Sequence, residues 1–253
     1  MNATREGDGL RRVTGWLLVV GAVAFAVAAT VLSSTFEWPD ILREPPQVVL
    51  AAFVAGGTSL VWTWFAVAWT YGSCWSRSCC SRPPWAAATT RCWGRPPWWG
   101  GVGAVVADRV PALGVRGPGL AGSYVGGDPT TKAAVAAAWT AQHQFGGALL
   151  GEHLGQLLVI GWSVTVSVVV VRTGMLWRWV GWAGLVASVL YGFNQGDILA
   201  TAVPGFPVFD LAGFAGSTLW AIWLIVLGLA VLRAPIRRPT AAATVPAPSH
   251  ARS

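Results

Sequence analysis

Residues 13–32 contain no charged side chain, and neither do 48–71 or 211–232. Two further apolar runs follow the same pattern. The run 145–171 carries only Glu152 and His153, and 177–193 carries only Arg178 near its start. A helix rises 1.5 Å per residue and the hydrocarbon layer of a bilayer is about 30 Å thick, so roughly 20 apolar residues reach across it. Backbone polar groups in lipid must be satisfied within the structure, which leaves helices or closed barrels. Uninterrupted apolar runs of this length predict helices. The expected fold class is therefore all-α, a polytopic transmembrane helix bundle with five clear spans. The composition agrees, being 54% hydrophobic and 11% charged, where soluble domains carry about 25% charged residues. Too little polar surface exists to cover a soluble fold, so the lipid bilayer is the first expected partner.

The arginines set an orientation. Arg5, Arg11 and Arg12 precede the first run, Arg172 and Arg178 bracket the turn between the runs 145–171 and 177–193, and Arg233, Arg237 and Arg238 follow the last. Basic residues flanking spans favour the cytoplasmic side. The expected organisation is a cytoplasmic N-terminus over 1–12, a bundle over 13–232, and a disordered cytoplasmic tail over 233–253. The expected location is the cell membrane, multi-pass, with both termini cytoplasmic. The net charge of +7 then needs no nucleic-acid partner, because the arginines flank apolar runs instead of forming a binding stripe. Ala26-Val27-Ala28 resembles a cleavage site, but the run around it exceeds the roughly 7–15 residues of a secretory signal, which favours a retained span.

Two cytoplasmic termini require an even number of spans, so a sixth is expected between Tyr71 and Phe145. That interval is anomalous. Residues 73–117 hold all four cysteines and five of the 17 Trp, with one Leu and no Ile or Phe. Leu codons ending in G or C read out of frame as Cys and Trp, and Ala codons as Pro and Arg. The composition predicts a frameshifted membrane segment, with a Trp/Arg-rich cytoplasmic loop as the other reading. A degraded span is expected near 97–115. The cysteines in this stretch are not read as a metal site, since Cys79-Cys80 is not a CxxC pair and no His stands at finger spacing.

The run 145–171 holds the residues closest to chemistry. Gly147, Gly151 and Gly155 recur every four residues, a helix-packing stripe that lets a second helix approach closely. Glu152 and Gln156 lie beside that stripe, with Ser163 and Ser167 continuing their face, while His153 points about 100° away. A carboxylate inside a span costs at least a few kcal/mol and normally has a partner or a wet cavity. Glu152 is accordingly read as buried and facing the bundle. Asn194, Gln195, Asp197 and Asp210 fall on the same side of the membrane as Glu152, so Glu152, His153, Gln156, Asn194, Asp197 and Asp210 form the candidate polar site. The competing reading makes these residues a hydrogen-bonded helix clamp, loop acids and caps, with Asp210 suited to an N-cap. Trp177, Trp179, Trp182, Trp220 and Trp223 fit interfacial belts. His143 and His153 are ten residues apart, and His250 lies in the tail, so no metal and no cofactor is expected.

Phosphate-loop, dinucleotide and serine-elbow patterns are missing, and Glu152-His153 is not followed by a second His at zinc-protease spacing. Three function classes remain. The first is an integral membrane protein of accessory, sensory or structural type, without catalysis. The second is a transporter or channel for a proton or small polar solute using Glu152. The third, an intramembrane enzyme, has the least support, since convergent nucleophile, base and metal groups are lacking. A homo-oligomer or a membrane partner fits the first two classes.

Four segments, Phe36-Glu37-Trp38-Pro39-Asp40, Gly151-Glu152-His153-Leu154-Gly155-Gln156, Trp179-Val180-Gly181-Trp182-Ala183-Gly184 and Leu219-Trp220-Ala221-Ile222-Trp223, resemble the bacterial six-span membrane proteins grouped as domain of unknown function 4386. The resemblance extends over about residues 10–235, with 73–117 departing from it. It implies a six-helix bundle and carries no assigned activity.

Overall fold

The computed structural model describes residues 2–80, 119–200, 203 and 205–234. Among them the chain is helical throughout, with short turns and no strand. The elements are α1 (Asn2–Phe36), a 3₁₀ turn (Asp40–Arg43), α2 (Pro46–Cys80), α3 (119–126) and α4 (Pro129–Gln142). A π segment (His143–Leu154) follows, then α5 (Gly155–Thr173), α6 (Arg178–Phe193), α7 (Gln195–Ala200) and α8 (Asp210–Arg233). The disputed span 97–115, most of the anomalous stretch and the tail from 235 lie outside the described residues.

Four helices are long and apolar enough to cross a membrane: Arg11–Phe36, Pro46–Thr70, Pro129–Thr173 and Leu211–Arg233. The first, at 26 residues, reaches about 39 Å, ample for the hydrocarbon layer. The run expected over 145–171 is not a separate helix. It is the second half of a continuous 45-residue helix, because Ala-rich α4 has no breaker before the π segment. α6, at 16 residues, reaches only about 24 Å.

α2 is not straight. At Gly57 the backbone takes φ 54° and ψ −148°, a region open to glycine alone. The bend lets both sides of α2 meet one ring of α1. Phe53 lies 4.7 Å and Trp64 lies 6.1 Å from Phe36, centroid to centroid. These rings belong to a first core with Leu32, Val49, Leu50, Ala121 and Trp139.

A second core joins α1, α5, α6 and α8 through Leu18, Ala22, Val159, Val180, Tyr191, Trp220, Trp223 and Leu227. The helices here alternate in direction. Gly15 of α1 meets the end of α8, where an added Cβ would lie 2.5 Å from Leu232 Cγ. A Cβ on Gly228 would lie 2.8 Å from the Gly15 carbonyl oxygen. Arg11 donates to the carbonyl of Ala234 just past α8. α6 runs against α8, with Val180 beside Trp223 and Tyr191 beside Gly216. α5 runs against α6, with Ser167 beside Gly184. The ends bearing Arg11, Arg12, Arg172, Arg178 and Arg233 therefore gather at one end of this bundle. The last turn of α1 and the α6–α7 corner lie at the other.

The interior Trp residues depart from expectation. Trp177, Trp179 and Trp182 are exposed, as belt residues would be, but Trp220 and Trp223 are 3% exposed. Gly184 leaves room for the Trp223 indole between α6 and α8, while Gly181 lies against Ser167 and Val171 of α5. Each buried N–H also finds an acceptor, which removes the usual reason for a Trp to stay at the interface.

Candidate polar site between α5, α6 and α8

On α5, Gln156, Ser163 and Ser167 are spaced by seven and four residues, which keeps them on one helical face. With Ser188 of α6 they are the buried polar side chains among the described residues. Burying such groups is costly unless they are hydrogen-bonded, and most are. Trp220 Nε1 donates to Ser163 Oγ at 2.9 Å, and Trp223 Nε1 donates to the Val180 carbonyl at 2.9 Å. Ser188 Oγ donates to the Gly184 carbonyl at 2.7 Å. Ser167 Oγ lacks a hydrogen-bond partner and occupies the space where a side chain at 184 would stand.

At the end of the bundle away from the arginines, this face closes on a compact polar group. Gln156 Oε1 accepts from Gln195 Nε2, and Gln156 is hydrogen-bonded to Tyr191. The Tyr191 ring lies 6.0 Å from that of Trp220, tilted by 33°. Tyr191 and Gln195 are one turn apart across the α6–α7 corner, so both can address Gln156 from one side. Two buried polar atoms lack partners, Gln195 Oε1 and His153 Nδ1, and α7 packs on the π segment that carries His153.

Glu152 does not lie where helical spacing put it. It is exposed, although its charge still reaches Tyr191. Counted back from Gln156 at 3.6 residues per turn, Glu152 would fall within about 40° of it. Gly147, Gly151 and Gly155 are buried, as a packing stripe would be. The expected buried acid is corrected to an exposed one.

The other expected residues are distributed around this group. Asn194 caps α6, and its Oδ1 rests against Gly213 of α8. α7 and the start of α8 bring the backbones of Asp197 and Asp210 to the same end of the bundle, while their side chains lie outside the described ones. α8 starts at Asp210 itself, with Phe209 in the cap position. His143 stacks on Trp139 at 5.9 Å and serves the first core. No group of three or more His, Cys, Asp or Glu that could hold a metal ion occurs among the described residues.

Sequence reasoning missed Tyr191, and it grouped Gln195 only with Asn194 and Asp197 without setting it against Gln156. The i, i+4 spacing of Tyr191 and Gln195 was a usable signal, but it spans a helix end that periodicity alone does not cross. Asp128 did behave as its position before Pro129 suggests. Its carboxylate accepts from the Thr131 N–H at 2.7 Å, and that bond holds its pKa below the usual value.

Residues 118–228 match the family model described as Domain of unknown function (DUF4386). The match takes in α3 through most of α8, and with them every residue of the polar group, and it begins after the anomalous stretch. No curated protein and no solved structure matches the chain.

Proposed function

We propose that this chain is a non-catalytic integral membrane protein of sensory or accessory type, which recognises a small polar solute at the Gln156–Tyr191–Gln195 group. The carrying observation is the pair of buried atoms without partners, Gln195 Oε1 and His153 Nδ1. An unsatisfied buried polar group costs about 1–3 kcal/mol. Arg11 Nε, Trp64 Nε1 and Ser167 Oγ are unpartnered as well, but Gln195 and His153 stand on two elements packed together, α7 and the π segment, where one ligand can complete the bonding of both. The flanking arginines orient that end outward and both termini into the cytoplasm of the cell membrane.

A second reading, transport of a proton or small polar solute, is favoured by the polar row continuing from Gln156 through Ser163 to Ser167 across the bundle. The two readings part experimentally. Protein in liposomes is tested for acid-driven proton flux and for polar-solute uptake, beside a calorimetric titration in nanodiscs. Binding without flux or uptake supports the sensory reading. Flux or uptake lost in Gln156→Leu supports transport. Absence of both binding and flux overturns the polar site.

A further inference from the structure

We infer that the α5–α6 pair binds an anionic phospholipid, with Arg172 and Arg178 holding the phosphate of its headgroup. The inference stands apart from the polar corner, which lies at the opposite end of the bundle. No Asp or Glu occurs from residue 153 to 196, so neither arginine is neutralised from within α5 or α6. Both are exposed, and among the described residues neither has an ion-pair partner. They also stand level. Gly181 lies against Val171. Arg178 comes three residues before the first and Arg172 one residue after the second, which leaves about 3 Å between their heights along the helices.

The packing fixes the side on which they project. Ser167 and Val171 meet Gly184 and Gly181, while Ser163 and Val180 take the indoles of α8. Turning about 100° per residue from these contacts carries Arg172 and Arg178 to the same side of the α5–α6 pair, away from α8. Val164, Trp182 and Val189 fall on that side as well, and all three are exposed. Two arginines therefore head one apolar strip. A soluble anion would use the arginines alone, whereas an amphiphile uses both parts. The length of α6 favours the amphiphile. Its 16 residues reach about 24 Å, less than the hydrocarbon layer of about 30 Å, and flanking side chains of such a short helix extend to the headgroups. Exposed Trp177 and Trp179, stacked at 6.4 Å, mark the same interfacial depth. The planar fork of arginine matches paired phosphate oxygens. Two unneutralised positive charges select a net-negative headgroup over a zwitterionic one.

The test is native mass spectrometry of the full chain, released from micelles that hold equal amounts of phosphatidylglycerol and phosphatidylcholine. Monomers carrying phosphatidylglycerol should outnumber those carrying phosphatidylcholine by about tenfold or more. Arg172→Gln combined with Arg178→Gln, both at exposed positions, should remove most of that excess. Arg43→Gln combined with Lys132→Gln takes away as much charge elsewhere and should keep it. Added inorganic phosphate should leave the bound lipid in place. Equal retention of the two lipids overturns the inference. So does an excess that survives the paired arginine change, or one that falls equally in the Arg43 and Lys132 control. Displacement by phosphate would assign the arginines to a free anion, and lipid-free dimers would assign the strip to a second copy of the chain. Either result overturns the inference, as do monomers that retain no lipid at all.

Discussion

Trp220 gives its indole N–H to Ser163, 57 positions earlier in the chain, at 2.9 Å and with both side chains buried. This bond ties α8 to α5 directly, behind the polar corner. Trp220→Phe removes the donor and keeps most of the ring. Stability in detergent should fall by about 0.5–1.5 kcal/mol. A double-mutant cycle with Ser163→Ala, read by denaturant titration, should return a coupling of similar size. Strict additivity would mean that the bond contributes nothing.

Gly184 is a site of contact, not of backbone freedom. An added Cβ would lie 2.5 Å from the Trp223 ring and would also meet Ser167 Oγ. Gly184→Ala should destabilise the bundle by about 1–3 kcal/mol through overpacking. Adding Ser167→Ala removes one of the two obstructions and should restore part of the loss, as measured by thermal unfolding. No rescue would place the strain on Trp223 alone.

Gly57 is the converse case. Nothing stands within 4 Å of where its Cβ would be, so Gly57→Ala introduces no collision. The cost is conformational, since φ 54° with ψ −148° suits glycine alone, and should be about 1–3 kcal/mol. Straightening α2 would also separate Trp64 from Phe36. Loss of near-ultraviolet aromatic dichroism, with the far-ultraviolet helix signal kept, is the expected reading. An unchanged near-ultraviolet spectrum would count against the bend.

Asp128 makes α4 sensitive to acid. Its pKa is lowered because the ionised carboxylate accepts the Thr131 N–H. A depressed folded-state pKa means that the contribution is present above the ordinary carboxylate pKa. It is lost as pH falls through the lowered one. The protection factors of amides in the first turn of α4, corrected for intrinsic exchange, should therefore fall in acid in the unmodified chain. In Asp128→Ala they should be low at every pH. A protection profile with the same acid dependence in both proteins would remove the cap from the account.

Much of the helical arrangement is readable from residues alone. Gln156, Ser163 and Ser167 share a face because 3.6-residue spacing holds along α5, and all three are buried. The arginines that bound the apolar runs collect at one end. The sequence is silent where a local rule fails. Counting places Glu152 within about 40° of Gln156, yet it is exposed, and nothing in HQFGGALLGEHL announces the π segment that holds it. Trp220 and Trp223 look like belt residues until their acceptors, Ser163 Oγ and the Val180 carbonyl, are set opposite them. The bend at Gly57 is foreshadowed by Gly56-Gly57, yet that pair is equally common as a packing notch. The frameshift expected in 73–117 falls largely outside the described residues, although the backbone of α2 remains helical through Cys80.

α1 supplies Leu18 and Ala22 to one core and Leu32 and Phe36 to the other, and its first half packs along the last helix of the bundle. This has a consequence for biosynthesis. α1 leaves the ribosome well before α8, with more than 200 residues made between Gly15 and Gly228. Until α8 arrives, the glycine notch of α1 has only lipid to face, and the second core cannot close. The partly made protein must therefore wait in the bilayer with its two halves unequally finished. Truncation before α8 should leave a chain that inserts but whose α1 remains open to extraction and proteolysis.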